Sequence, residues 1–191
     1  MSLIIPDSRV FGWLGNDDKN IPYYLHALNL YWGGDERVKP AMKKFLEVAK
    51  RLEVQPDYWS EIIRTKAWRH TLVGCTCILV SRNPSYFQDL QFSFKQGNWV
   101  SPQIAVTMGI VHPHLSRKFF REYLSSIVPA QKAKEVTSAQ WVLNKLDDSS
   151  YSNEFDWNSP LDKDDSDIAK SVVENHWNFW LNLGFVVDNG I

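Results

Sequence analysis

The sequence predicts an all-α protein in which about nine short helices form a single domain over residues 1–191, packed as stacked antiparallel hairpins or as an irregular bundle. Three observations indicate this fold class. Apolar residues recur at helical spacing through most of the chain. Proline stands at the start of several apolar segments, where a first helical turn tolerates it. Short turns separate the segments, and short turns favour antiparallel neighbours.

The composition is that of a globular protein, with 44% hydrophobic residues, 23% charged residues and a net charge of −1. A charge this close to neutral argues against a nucleic-acid partner. No apolar run approaches the roughly 18 residues of a membrane-spanning helix, so no membrane partner is expected. Cys75 and Cys77 lie in an apolar run and are expected to be reduced core thiols, which indicates a cytoplasmic protein.

The N-terminal third begins with a lead-in, residues 1–19, in which Phe11 and Trp13 are the expected anchors. Asn20 can cap the first predicted helix, because an Asn side chain accepts a hydrogen bond from a free first-turn amide. The apolar stripe of this helix is predicted at Tyr24, Leu25, Leu28, Tyr31 and Trp32.

The second and third helices are predicted to begin near Pro40 and Pro56. Their inward-facing positions are Met42, Phe45, Leu46, Ala49 and Leu52 in the second and Trp59, Ile62, Ile63 and Ala67 in the third.

A fourth helix is predicted over residues 68–81, and its apolar run Leu72–Val80 should form the centre of the core. Val73, Thr76 and Ile78 are β-branched and would also suit a strand. We prefer the helix because both neighbouring segments are helical and a lone strand would have no partner.

The next three helices are predicted from Asn83–Pro84, from Ser101–Pro102 and from about His114, since an Asn or Ser cap followed by proline is a typical helix start. Their inward positions are Phe87, Leu90 and Phe94; Ile104, Val106, Met108, Ile110 and Val111; and Leu115, Phe119, Phe120, Tyr123, Leu124, Ile127 and Val128.

Two further helices are expected, one capped by Thr137 or Ser138 and the last capped by Asp165 or Ser166. Their apolar positions are Trp141, Val142 and Leu146, and then Ile168, Val172, Trp177, Trp180 and Leu181.

An acidic loop, residues 147–167, is predicted before the last helix, and it contains Lys163 as its single basic residue. It does not follow the calcium-loop pattern, because Asp167 and Val173 stand where Gly and Glu would be needed. Embedded aromatic rings and carboxylates are suited to a protein contact. The predicted partner-binding residues are Tyr151, Glu154, Asp156, Trp157, Asp162, Asp164 and Asp165.

A further functional hypothesis is a small-molecule enzyme. Its polar site would be formed by Arg69, His70 and His112. No catalytic motif supports it, so no catalytic residue is assigned. The His112-Pro113-His114 pair supplies too few ligands for a metal site, and no metal or cofactor is expected.

The basic region, residues 37–69, carries nine Lys and Arg residues against four acidic ones. It supports an alternative function in nucleic-acid binding or base repair, in which Trp59 or Trp68 would stack on a base and the basic side chains would follow phosphates.

The segment from Trp68 to Asp147 resembles an uncharacterised bacterial family of all-helical, HEAT-like proteins. The similarity lies in the W-R-x-x-L-V-G opening at Trp68, the Ser101–Leu124 helices ending in FFREYL, and the W-x-L-x-x-L-D sequence at Trp141–Asp147. The resemblance implies a helical fold without known catalytic residues, and relatives of such folds often serve as immunity proteins that neutralise bacterial toxins. The leading functional hypothesis is therefore a non-enzymatic protein-binding module, with a cognate toxin as its specific partner.

Overall fold

The computed structural model describes residues 8–28, 30, 38–126, 132–147 and 160–184. Within these ranges it contains ten α-helices and no strand, which confirms the all-α class. The helices are α1 Arg9–Leu14, α2 Tyr23–Leu28, α3 Val38–Glu53, α4 Pro56–Arg64, α5 Trp68–Ser81, α6 Phe87–Gln96, α7 Ser101–Val111, α8 Pro113–Ser126, α9 Ala133–Asp147 and α10 Pro160–Asn182. The lead-in contributes the extra helix α1, and both of its expected anchors pack against the core.

The helices from α4 to α9 form three stacked antiparallel hairpins, α4–α5, α6–α7 and α8–α9. Hydrogen bonds fix their directions: Asn98, just before α7, bonds to Thr71 in the first turn of α5, and Ser101 bonds to Glu135 near the start of α9. The helices α5, α7 and α9 therefore run parallel to one another in one layer. The prediction of stacked hairpins is confirmed.

The remaining helices cover this layer. The helices α2 and α3 pack against α5, and α1 packs against α2 and α3. At the other side α10 packs along α9 and α7. Among the described residues, a single cluster of buried apolar side chains runs from Val10 in α1 to Trp180 in α10. All ten helices therefore share one core.

The helix α5 spans Trp68–Ser81 as predicted, and residues 70–79 are all buried. The helix α7 is buried to the same extent, over residues 101–110. The thiols of Cys75 and Cys77 are free and buried within this central pair, and burial raises the pKa of Cys75 to about 12. The apolar run Leu72–Val80 is thus one half of the core centre, and α7 is the other half.

Two predicted helix starts, at Asn20 and at Thr137 or Ser138, were wrong because other hydrogen bonds form at these positions. Asn20 has a left-handed backbone, with φ of 61°, and the Asp17 carboxylate instead accepts hydrogen bonds from the amides of Lys19 and Ile21. Ser138 lies inside α9, where its hydroxyl bonds to the Lys134 carbonyl. The cap at Asn83 is confirmed, since its side chain accepts a bond from the Ser85 amide at the start of a 3₁₀ turn.

The predicted acidic loop does not extend to residue 167, because α10 begins at Pro160. Residues 160–167 are therefore helical, and Asp165 and Ser166 lie inside the helix rather than capping it. A proline at the first position and acidic residues in the first turns suit a helix N-terminus.

The predicted stripe of α10 was rotated about the helix axis, and single predicted positions were wrong in α3, at Leu46, and in α8, at Leu115. Leu115 in α8 and Ile168 and Leu181 in α10 are exposed, although they were placed inward. The buried positions of α8 include Ser116, and those of α10 are Ser166, Ala169, Val173, His176, Trp177 and Trp180. Small side chains on these faces let the helices approach their neighbours closely, which apolar spacing alone does not reveal.

Gly109 brings α7 close to α9 and α10. A β-carbon built at this position would lie 2.6 Å from Val142 Cγ1 and 2.9 Å from Trp177 Cζ3. Neither neighbour can yield easily, because valine is stiff at χ1 and the indole ring is held in the core.

Gly109→Ala should lower the free energy of unfolding by about 1–2 kcal/mol, because overpacking outweighs the roughly 1 kcal/mol that alanine gains over glycine in a helix. Urea unfolding followed by circular dichroism measures this. Gly12→Ala in α1 is the matched control, since no atom lies within 4 Å of the added β-carbon. This control should be slightly stabilising, and a Gly109→Ala protein as stable as the wild type would contradict the close approach.

A candidate protein-interaction surface

Trp68 and Trp99 occupy equivalent places in successive hairpins. Trp68 follows the α4–α5 turn and Trp99 lies in the α6–α7 turn, so the parallel stacking of α5 and α7 brings them together. Their ring centroids are 4.9 Å apart. We call the surface formed by these two turns and their neighbours the turn edge, and define it as Tyr24, Lys66, Trp68, Arg69, Lys95 and Trp99.

The turn edge exposes an aromatic and cationic cluster. Trp99 is 57% exposed although its ring contacts Trp68. The Arg69 guanidinium lies 4.4 Å from the centre of the Trp68 ring, and its Nε donates a hydrogen bond of 3.3 Å to the Tyr24 hydroxyl. These contacts preorganise Trp68 and Arg69, whereas most of Trp99 remains open to a partner.

Asn98 holds the two turns together beneath the exposed rings. Its side-chain amide donates to the Thr71 hydroxyl at 3.2 Å and to the Thr65 carbonyl at 3.4 Å. Its Oδ1 accepts a bond from the Val100 amide at 3.2 Å, which fixes the backbone that carries Trp99. Because Asn98 is buried, these bonds are shielded from water and give the edge a defined shape.

Ser101 continues this network into the next hairpin. Its hydroxyl lies 2.7 Å from Glu135 Oε1, and Glu135 is buried. The Tyr123 hydroxyl is buried nearby, and its pKa is raised first by desolvation and then by the charge of Glu135. This buried group of side chains is structural, since none of its members reaches the surface.

The turn edge carries positive charge. The segments 65–70 and 95–102 contain Lys66, Arg69 and Lys95 and no acidic residue. All three side chains are exposed. In the third hairpin Lys132 bonds to the Lys95 carbonyl at the end of α6.

The predicted polar site is not assembled. Arg69 and His70 lie at the start of α5, where the buried His70 ring packs on Phe11 with centroids 4.6 Å apart. His112 follows the end of α7 and bonds to the Pro84 carbonyl at 2.7 Å, beyond the other end of α5. The rise of α5 alone separates the two histidines by roughly 16 Å.

The predicted acidic partner-binding residues are mostly outside the described ranges. Tyr151, Glu154, Asp156 and Trp157 fall there, as does the side chain of Asp162. On α10, Asp164 is exposed, and Asp165 pairs with Lys134 at 3.3 Å. The role of this segment stays a prediction.

The basic region does not present Trp59 as a stacking platform. Trp59 is fully buried in α4, with its ring 4.4 Å from that of Tyr86, so the prediction that it could stack on a base was wrong. Trp68 is partly exposed, but the Arg69 guanidinium lies over its ring.

A second surface feature is an open groove between α6 and α8, with a volume of about 470 Å³. Phe87, Phe119 and Leu115 contribute apolar surface, and its polar lining residues are Ser85, Gln88, Gln91, Lys118 and Glu122. The groove contains none of Arg69, His70 and His112, so it does not unite the predicted polar site.

Sequence reasoning missed Trp99 and Tyr24. A signal for Trp99 was present, because Gly97-Asn98-Trp99 forms a turn between two helices and places a large ring where the core cannot enclose it. Nothing local marks Tyr24, whose contact with Trp68 joins α2 to α5.

Comparisons with family models, with curated proteins and with solved structures found no match for this chain. Within the residues that the structure describes, none of the helices combines the length and the apolar character that crossing a bilayer requires. In the same residues, His, Cys, Asp and Glu side chains form no group of three or more suited to holding a metal ion.

Proposed function

We propose that this protein is a protein-binding module that works without catalysis, and that the turn edge is its contact surface. The observation that carries the proposal is the exposure of Trp99 on a rigid base made by Trp68, Arg69 and Tyr24. Trp, Tyr and Arg are the residue types most enriched at binding hot spots. A half-exposed ring held against a second tryptophan and an arginine forms an aromatic surface that suits coverage by a partner protein.

The alternative of a nucleic-acid-binding protein has one supporting feature, the positive charge of the turn edge. Single-strand binding also requires a basic groove that follows the backbone over several nucleotides. On the described part of α3, Lys44 pairs with Glu47 at 2.9 Å, and on α4 Arg64 pairs with Asp89 at 3.3 Å, which reduces the charge available to phosphates. A protein partner therefore fits better.

The specific role of an immunity protein that neutralises a bacterial toxin rests on the sequence resemblance. A rigid helical stack with an exposed recognition surface suits that role, and a cytoplasmic location would agree with the free thiols of Cys75 and Cys77. In such a protein the acidic segment would be a second contact, for a basic patch on the toxin.

A photo-crosslinking experiment in cells tests the turn edge. A photoreactive residue at the exposed Gln96 position should capture a partner protein, and Trp99→Ala should reduce that capture about tenfold, which is the loss typical of a hot-spot residue. The same photoreactive residue at Val54, which is 79% exposed on the α3–α4 connection, is the positional control.

The stability of the Trp99→Ala protein should change by no more than about 0.5 kcal/mol, because the lost contacts are at the surface. Capture that does not depend on Trp99, or that is equally strong from position 54, would exclude the turn edge as the binding surface.

A further inference from the structure

The charge of the turn edge indicates what kind of protein surface it accepts. Lys66 and Arg69 flank Trp68 in the sequence, and Lys95 lies in the last turn of α6, before the turn that carries Trp99. All three cations are exposed; the Arg69 guanidinium lies over Trp68, and the Lys95 ammonium lies 5.4 Å from the centre of the Phe119 ring of α8. The Glu135 carboxylate, which bonds to Ser101 at the start of α7, is buried, so three exposed cations stand against this one carboxylate.

We infer that the turn edge binds an acidic segment of a partner protein, one whose carboxylates pair with Lys66, Arg69 and Lys95 while an apolar side chain covers Trp99. This inference rests on the proposed function, since it names the chemistry of the partner of the same surface. The acidic partner segment differs from the basic toxin patch considered above, because a basic patch would pair with the acidic residues of α10.

Two features of the edge make carboxylates the matching groups. Arg69 is positioned by the Trp68 ring and the Tyr24 hydroxyl, so its guanidinium loses little freedom when it pairs with a carboxylate. Lys66 and Lys95 are exposed and can steer an acidic partner from solution, an effect that weakens as salt rises. Trp99 then supplies the apolar contact that holds the complex.

Fluorescence anisotropy with three labelled probes tests the inference: a Glu-rich peptide that contains tryptophan, the same peptide with Gln in place of Glu, and oligo-thymidylate. We expect the full chain to bind the Glu-rich peptide, with an affinity that falls as salt rises, and to bind the Gln peptide at least about tenfold more weakly. Trp99→Ala and the double variant K66E/K95E should each weaken binding of the Glu-rich peptide by a similar factor.

The double variant K43E/K50E is the matched control, because it makes the same charge change at exposed lysines of α3. It should leave peptide binding nearly unchanged, and circular dichroism should report the same helix content for every variant. A loss of binding as large in K43E/K50E as in K66E/K95E would show a general charge effect and overturn the inference.

The other outcomes separate the inference from the proposed function. No binding of the Glu-rich peptide, or equal binding of the Gln peptide, overturns the acidic partner, and Trp99-dependent crosslinking from position 96 would then still support a protein partner. Tighter binding of oligo-thymidylate that is lost in Trp99→Ala would overturn both in favour of nucleic acid. Sedimentation velocity could also show that the chain dimerises through Trp99 and binds no peptide. A second copy of the chain would then be the partner of the turn edge, and the inference of an acidic partner would be overturned.

Discussion

Trp59→Ala should lower the free energy of unfolding by about 3–5 kcal/mol, the range for removing a large buried ring from a core. Trp59 is fully buried in α4, contacts the Tyr86 ring and donates a hydrogen bond of 3.4 Å to the Gly74 carbonyl of α5. Alanine would leave a cavity at the place where the first hairpin packs together. Since a domain is stable by only about 5–15 kcal/mol, this loss is a large fraction of the total.

Urea unfolding followed by far-ultraviolet circular dichroism measures this effect without interference from the other tryptophans. Trp99→Ala is the matched control, because it deletes the same side chain at an exposed position and should cost no more than about 0.5 kcal/mol. Trp59→Phe should fall between them, since it keeps an aromatic ring but loses the hydrogen bond to Gly74. Equal stability of the Trp59→Ala and Trp99→Ala proteins would contradict the packing described for α4.

Acidification should destabilise the protein through His176 in α10. Burial of its ring lowers the pKa to about 4 from the ordinary 6.5, and a hydrogen bond to the Leu28 carbonyl opposes this only in part. Within the described residues, its Nε2 is buried and has no hydrogen-bond partner. Protonation would therefore place an imidazolium in the packed interface of α10.

The sign of the pH effect follows from which state binds the proton. Between pH 6.5 and about 4 the unfolded chain protonates this histidine and the folded chain does not, so stability is complete above this window and falls as pH drops through it. The loss approaches about 3 kcal/mol at the acidic end, from 1.36 kcal/mol for each pH unit. The pKa of Asp17 is lowered from 3.8, because hydrogen bonds from Ile21, His26 and Lys19 together outweigh its desolvation, so it titrates below this window.

Thermal or urea unfolding at a series of pH values tests this, with His176→Phe as the variant that cannot titrate. We expect the wild-type protein to lose stability between pH 6.5 and pH 4 and the His176→Phe protein to lose about 3 kcal/mol less. Parallel stability curves for the two proteins would show that His176 does not carry the effect.

Several features of the fold were predictable from the sequence because they depend on residues close together in the chain. The helical period of apolar residues identified α3 to α10, and the bounds of α5 were predicted to the residue. Asn83 marked a helix start because a cap bond joins residues two apart. The starts of α9 and α10 were missed because Ser138 and Ser166 look like caps in the chain but bond or pack as interior residues.

The candidate site was less predictable than the fold. Sequence context singled out Arg69 and Trp68. The site it indicated, however, combined Arg69 with His70 and His112 and left out Trp99. Contacts between side chains on different hairpins depend on how α5 and α7 stack, and their spacing in the chain carries no information on that. The rotation of α10 about its axis has the same origin, because a helix with apolar residues on more than one side buries the face against which its neighbours pack best.

The sequence by itself determined that this chain is helical, where most helices begin and end, and that residues 72–80 are buried, since local hydrogen bonds and the periodic burial of apolar side chains decide these properties. Only the tertiary structure decided that Trp99 stands half exposed against Trp68, that Trp59 is enclosed, and that His70 and His112 lie far apart. The physical reason is that a side chain's exposure is set by the helices packed around it, and parallel stacking of hairpins joins residues that the chain keeps distant.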